Sequence, residues 1–414
     1  MVVPQPPWAR AQLVYCNRAL VSALQLASAH LDSKHAVDLP LLMDPEIVVA
    51  AFEELSPQQQ SDPREVSRFV DSCFGTDPDS DLLPWVPPDL RDDAAIVIDA
   101  TPGPARAWVE GLHGLWRTLG RRASPHALAF PQRTSLIPRE HPMVVPGGRF
   151  RESYYWDSYW IVLGLLASGM RTTAGHVVDN LLDDVGRFGF VPNGGRCYYA
   201  TRSQPPLLAD MVAALWDDVG GEDGAGADDW ARLERSVPLL VRELSFWSDA
   251  RAVPDSAFHL PGLGDGALGA LARYASDDPE PRPESFREDT ETAAAAPRDA
   301  GEVYASIRAA AESGWDFSSR WDAPEGTWER QPAEDLHMGK GGVVTSGPSE
   351  VMITTDTANV VPVDLNAILY RADTTLARLH EALASPRRPG ASAEDRREHA
   401  TGAKTAQHRA ARRA

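Results

Sequence analysis

"PGGRFRESYYWDSYWIVLGLLASGM", from Pro146 to Met170, runs from a Gly-Gly turn through a knot of charged and aromatic residues into an apolar stretch. From Trp156 on, apolar residues recur at three- and four-residue spacing, which predicts a helix. The same period appears near the start in "ALVSALQLASAHL" and "DPEIVVAAFEEL". It returns in "PARAWVEGLHGLWRTLGRRA", "AGHVVDNLLDDVGRFG", "PLLADMVAALWDDVG" and "DDWARLERSVPLLVRELSFWSDA". Asp44-Pro45 opens one helix, and Pro205-Pro206 precede another. Period-two alternation is scarce. The pattern predicts an all-α protein of antiparallel helices, with its unusual residues in the connecting loops. Loops on a rigid frame are where chemistry tends to sit.

The chain has 414 residues, enough for one large domain or two ordinary ones, and 12 tryptophans to fill a core. Its net charge of −19 argues against binding nucleic acid or an anionic membrane surface. Cys16, Cys73 and Cys197 are scattered, so neither a disulfide framework nor a structural zinc is expected. The eleven histidines show no metal-ligand spacing, and no metal or cofactor is expected. With no signal-peptide pattern at the start and no long apolar span, a cytoplasmic location is expected.

Composition shifts twice. Residues 275–300, "ASDDPEPRPESFREDTETAAAAPRDA", are acidic and Pro-rich and read as an exposed segment. The last 29 residues carry eight Arg or Lys against three acids and almost no large apolar side chain. The expected organisation is a folded domain over 1–373 and a basic, disordered tail over 374–414. "GDGALG", Gly264–Gly269, fits GxGxxG formally, but "HLPGLGD" before it is no strand, so a flexible loop is expected.

Within the opening stretch, Arg149, Glu152 and Asp157 lie among six aromatic residues. Packing alone seldom demands so many hydrogen-bonding groups beside charges that need partners when buried. Rings stack on the apolar faces of sugars, while Arg donates to sugar hydroxyls and carboxylates accept from them. The mix recurs at Asn193, Arg202 and Gln204 in "PNGGRCYYATRSQPP", and at Arg282 and Glu284 in "RPES". "AESGWDFSSRW" then sets Asp316 between Trp315 and Phe317. A carboxyl desolvated by rings holds its proton, as a general acid must. The plainer reading is a core-edge acid paired with Arg320.

These segments resemble the α,α-trehalases of glycoside hydrolase family 37. "PGGRFRESYYWDSYW" is similar to that family's first signature, PGGRFxExYxWDxY, at every fixed position. "DSKHAVDLPLLMDP", "SLIP", "YYATRSQPPLLADMV", "RPES", "ESGWDFSSRW" and "VPVDLNAILY" resemble its other blocks in the same order, over about residues 12–372. The resemblance implies an (α/α)6 toroid and inverting hydrolysis of trehalose to two glucoses without a cofactor. It implies that Asp316 is the general acid. It also implies that Arg149, Trp156, Asp157, Asn193, Arg202, Ser203, Gln204, Arg282, Pro283, Glu284 and Gly314 line the sugar subsites.

The resemblance stops after "VPVDLNAILYRAD". The family's base, a Glu in a C-terminal block with a second signature, QWDxPxGWxP, has no counterpart here. Glu284, Glu152 and Glu312 are poor substitutes, being committed elsewhere or too near Asp316 in sequence. The toroid is therefore expected to lack its last helices, and the chain to show little or no hydrolysis. Three explanations compete: a truncated gene product, a short form that binds trehalose without cleaving it, and a site completed by another carboxylate or a partner chain. An all-α scaffold for protein partners fits the composition but leaves the Arg/Trp/Asp loops without a purpose.

Overall fold

Helices form where the apolar period is strongest, and their ends carry the expected signals. The Arg171–Phe188 helix buries one long stripe, including Val178, Leu181, Leu182 and Val185, and stops at Gly189 in the left-handed region (φ 87°). Pro45 starts the Pro45–Glu53 helix, and Leu208–Asp218 follows the Pro205-Pro206 pair. The computed structural model describes residues 6–28, 31–99, 103–253, 271–323 and 350–413. The expectation of a mainly helical protein is met, with successive helices packed on one another, as Asp157–Ala167 is on Arg171–Phe188 and Val363–Ala384 on Ala393–Arg413. Gly264–Gly269 lies outside the described residues.

The two largest of four apolar clusters among the described residues organise the fold. The larger joins the helices Asp157–Ala167, Arg171–Phe188, Leu208–Asp218, Ala227–Asp249 and Val363–Ala384, around Trp247, Leu240 and Leu376. The smaller is built by the N-terminal helices, with Tyr15, Leu20, Leu24 and Phe69, and takes in Tyr154, Tyr198 and Tyr199 from later loops. Neighbouring residues thus serve different cores: Tyr154 faces the N-terminal one and Tyr155 the larger one.

A buried quartet of charges lies against the smaller core, where the Tyr154 and Tyr198 hydroxyls donate to Glu152 and Asp38. Lys34 Nζ lies 2.5 Å from Asp38 and 3.0 Å from Glu152, and Arg196 Nε lies 3.2 Å from each carboxylate. Two cations against two anions leave the cluster neutral, which makes its burial tolerable. Its members come from "DSKHAVD", from the Gly-Gly stretch and from "PNGGR", so the recurrence of these blocks along the chain has a packing reason.

A small antiparallel sheet was not legible from alternation. Its strands are β1 (Leu82–Pro84), β2 (Gly120–Ala123) and β3 (Met143–Val144), in that order. β3 leads directly into Gly147 and Gly148, whose φ of 98° and 61° make the turn before Arg149.

Two expectations are corrected. Residues 374–414 are not a disordered tail: Val363–Ala384 runs into that range, and Ala393–Arg413 forms a helix packed along it. The tail lacks large apolar groups, but its Ala403, Ala406 and Ala410 stripe lets it approach Leu376, Leu379 and Leu383 on its partner. Arg409 and Arg413 add ion pairs to the fully buried Asp373, at 2.7 and 3.1 Å. Nor is 275–300 simply exposed: Arg282, Glu284 and Asp289 are buried because they pair with one another and with Arg202.

Candidate active site

The loops that cross between the two cores enclose a cleft of about 820 Å³. That lies within the roughly 300–1,000 Å³ range of small-ligand sites. Ten of the twelve residues singled out in the sequence line it: Arg149, Trp156, Asp157, Asn193, Arg202, Gln204, Arg282, Glu284, Gly314 and Asp316. Ser203 and Pro283 lie behind the wall. Ser203 is fully buried, its hydroxyl donating to the Val191 carbonyl at 2.7 Å, and the Pro283 carbonyl accepts from Gln25 Nε2 at 2.7 Å.

Several cleft side chains are fixed by their neighbours. Arg149 makes a bidentate pair with Asp32, at 2.5 and 2.9 Å, and Asp32 also caps the Ser33–Asp38 helix. Arg202 donates to Asn193 Oδ1 and to Glu284 Oε1, both at 2.7 Å, with its guanidinium over the Tyr199 ring. The backbone N–H of Trp156 donates to Gln204 Oε1 at 3.1 Å. Trp156 stands edge-on to Trp160 and Trp315, with centroids 5.4 and 6.4 Å apart. Gly314 makes room for it: its φ is 73°, and a Cβ there would lie 2.6 Å from the Trp156 ring.

The charges are arranged unevenly. Burial opposes ionisation of Glu284, but Arg202 and Arg282 outweigh it and hold the carboxyl down to about 2. Burial pushes the Asp157 carboxyl up from its ordinary value, only its own backbone opposing. Arg282 is bound along its length by Asp289, at 2.8–3.3 Å, and reaches Asp316 Oδ2 at 3.4 Å. The pairing of Asp316 with Arg320 is not formed, since Arg320 binds Asp364 at 2.8 Å. Trp315 and Phe317 are 52% and 71% exposed, so they form the rim of the cleft.

Sequence reasoning missed several lining residues. Tyr199 and Phe150 stood inside quoted blocks, and Ser318 and Ser319 lie two and three residues after Asp316. Their neighbours' charges drew attention away from them. Glu152, by contrast, is not in the cleft but in the buried quartet. Among the described residues, no group of three or more His, Cys, Asp or Glu is placed to hold a metal. All three cysteines are free.

The sequence matches the model of the Trehalase family over residues 28–411. The chain belongs to the trehalase family. It is 38% identical to trehalase from Homo sapiens over 374 residues, covering 89% of this chain and 58% of the relative. It is 37% identical to trehalase from Oryctolagus cuniculus over 381 residues, covering 91% and 59%. The solved neutral trehalase Nth1 from Saccharomyces cerevisiae is similar over 66% of this chain and 45% of that one, at 22% identity and a TM-score of 0.46. The chain thus spans less than two thirds of the length of the curated trehalases it matches. No helix among the described residues is long and apolar enough to cross a membrane.

Proposed function

We propose that this chain binds α,α-trehalose in the cleft and carries the acid half of an inverting hydrolysis. The reading rests on one observation: Asp316 opens onto the same cleft as Arg149, Arg202 and Arg282, each prepositioned by a carboxylate. Trp156 offers a ring for a sugar face, while Asp157 and the arginines take hydroxyls. Asp316 protonates the glycosidic oxygen as the bond breaks. The other residues act by holding both glucose rings so that this oxygen meets the acid.

Inversion also needs a base, roughly 6.5–9.5 Å from the acid, to activate water. Besides Asp316, the described cleft lining holds Asp157 and Glu284. Glu284 is bound to Arg202 and held down to about 2, so it draws a proton from water poorly. Asp157 is the group that burial pushes towards its neutral form. Glu152 and Glu312 are fully buried and engaged by cations. We therefore expect this chain alone to bind trehalose and release little or no glucose.

Glucose release from trehalose by the purified chain and by Asp316→Asn, beside trehalose calorimetry, tests both parts. Binding without turnover is the expected result. Turnover abolished by Asp316→Asn would mean that the chain does supply a base. A folded chain that ignores trehalose, or prefers maltose, would overturn the substrate assignment.

A further inference from the structure

The Ala300–Ser313 helix delivers Asp316 to the cleft, and its last turn carries Glu312, which is completely buried and does not line the cleft. Four donors converge on this one carboxyl. Oε1 accepts the Ser203 N–H and Arg251 Nη2, both at 2.9 Å. Oε2 accepts Arg251 Nε at 2.8 Å and the Ala275 N–H at 3.3 Å. Every partner is a donor, the pattern a carboxylate accepts and a carboxamide cannot match with its NH2 end.

The three segments so gathered are distant in sequence, and each bears on the cleft. Ser203 lies between Arg202, which binds Glu284, and Gln204, which holds Trp156. Ala275 begins the stretch that leads to Arg282 and Glu284. Arg251 follows the Ala227–Asp249 helix of the larger core, its guanidinium over the Phe246 ring at 4.7 Å. Two residues beyond Glu312, Gly314 turns the chain beneath Trp156, and two more bring Asp316.

We propose that Glu312 is a positioning residue, which ties the acid-bearing helix end to the Arg202–Gln204 loop and to the segment entering Arg282. Its consequence for sugar binding rests on the trehalose reading above. Its mechanical role does not.

Two variants test it: Glu312→Gln, which keeps the shape and turns a donor towards donors, and Glu312→Asp, which keeps the charge and shortens the reach. Asp373→Asn serves as a control, because it breaks buried ion pairs at the far helix pair. Hydrogen exchange is measured on the ligand-free chains, and trehalose affinity by calorimetry. Loss of a buried hydrogen bond to a charged group predicts about ten-fold faster exchange or more at 200–206, 273–285 and 311–318 in Glu312→Gln, with a Kd increase of similar size. The Arg171–Phe188 helix should keep its protection. Glu312→Asp should show a smaller change in the same segments and replaces Glu312→Gln if the latter does not fold. Asp373→Asn should lower the melting temperature and leave the three segments and the Kd unchanged. Unchanged exchange in the three segments, or loosening spread evenly over the chain, would overturn the positioning role. Segment-specific loosening in a chain that never bound trehalose would uphold Glu312 and sink the sugar reading instead.

Discussion

Among the described residues, Glu243 is a buried acid with no cation paired to it. It sits on the Ala227–Asp249 helix, where the Tyr155 hydroxyl donates to it. Burial pushes its carboxyl up to about 7, the Tyr155 hydrogen bond opposing. The unfolded chain releases this proton near 4.5. Between those values the folded state binds more protons, so stability falls as pH rises, by up to roughly 3 kcal/mol at completion. Glu243→Gln should remove that fall, and urea midpoints at pH 5 and pH 8 would then draw together. An identical slope in both proteins would contradict the assignment. At Gly314, a side chain would meet both a left-handed backbone and the Trp156 ring. Gly314→Ala should cost roughly 1–3 kcal/mol in denaturant unfolding and weaken trehalose binding, because Trp156 must move.

At the scale of elements, the Val363–Ala384 and Ala393–Arg413 pair is held by small residues rather than by a large apolar interface. Gly402 faces the His380 ring so closely that a Cβ would lie 2.4 Å from it. Replacing Ala406 with Leu should therefore cost about 1–3 kcal/mol through overpacking, read as a shift in chemical denaturation. His380 and His399 meet across the pair, with Nδ1 atoms 3.1 Å apart. Burial, then His399 and Arg409, pull His380 down to about 4. Its neutral form is the one the folded pair accommodates. The contribution is complete above the ordinary histidine range and is lost as pH falls from about 6.5 towards 4. Exchange in 393–413 should rise over that window, and His380→Gln should blunt the rise.

For the whole molecule, the cleft lies on the seam between two cores, so its geometry depends on their attachment. Glu152→Gln would leave Lys34 and Arg196 short of a partner inside the quartet. It should lower unfolding stability by about 3–5 kcal/mol. If the loss stays below about 1 kcal/mol, the quartet does not hold the N-terminal helices to the Gly-Gly stretch. On the proposed reading of the cleft, trehalose at about a hundred times its Kd should add roughly 2.7 kcal/mol to the folded state, seen as a raised melting temperature.

The sequence by itself determined most of the long helices, several of their ends and eight of the cleft's lining residues, and the family resemblance added Trp156 and Gly314. These depend on period, proline and glycine placement, and the rarity of clustered Arg, Trp and Asp, all of which are local. Tertiary structure decided the rest. It assigned Glu152 to a core and Arg282, rather than Arg320, to Asp316, because ion partners are chosen by proximity in space. It turned Trp315 and Phe317 outward to the rim. It also folded the basic tail, whose own composition cannot bury enough surface, by giving its alanines a leucine-lined helix to lie on. The free energy that orders such a segment resides in its partner, where no reading of the segment alone can find it.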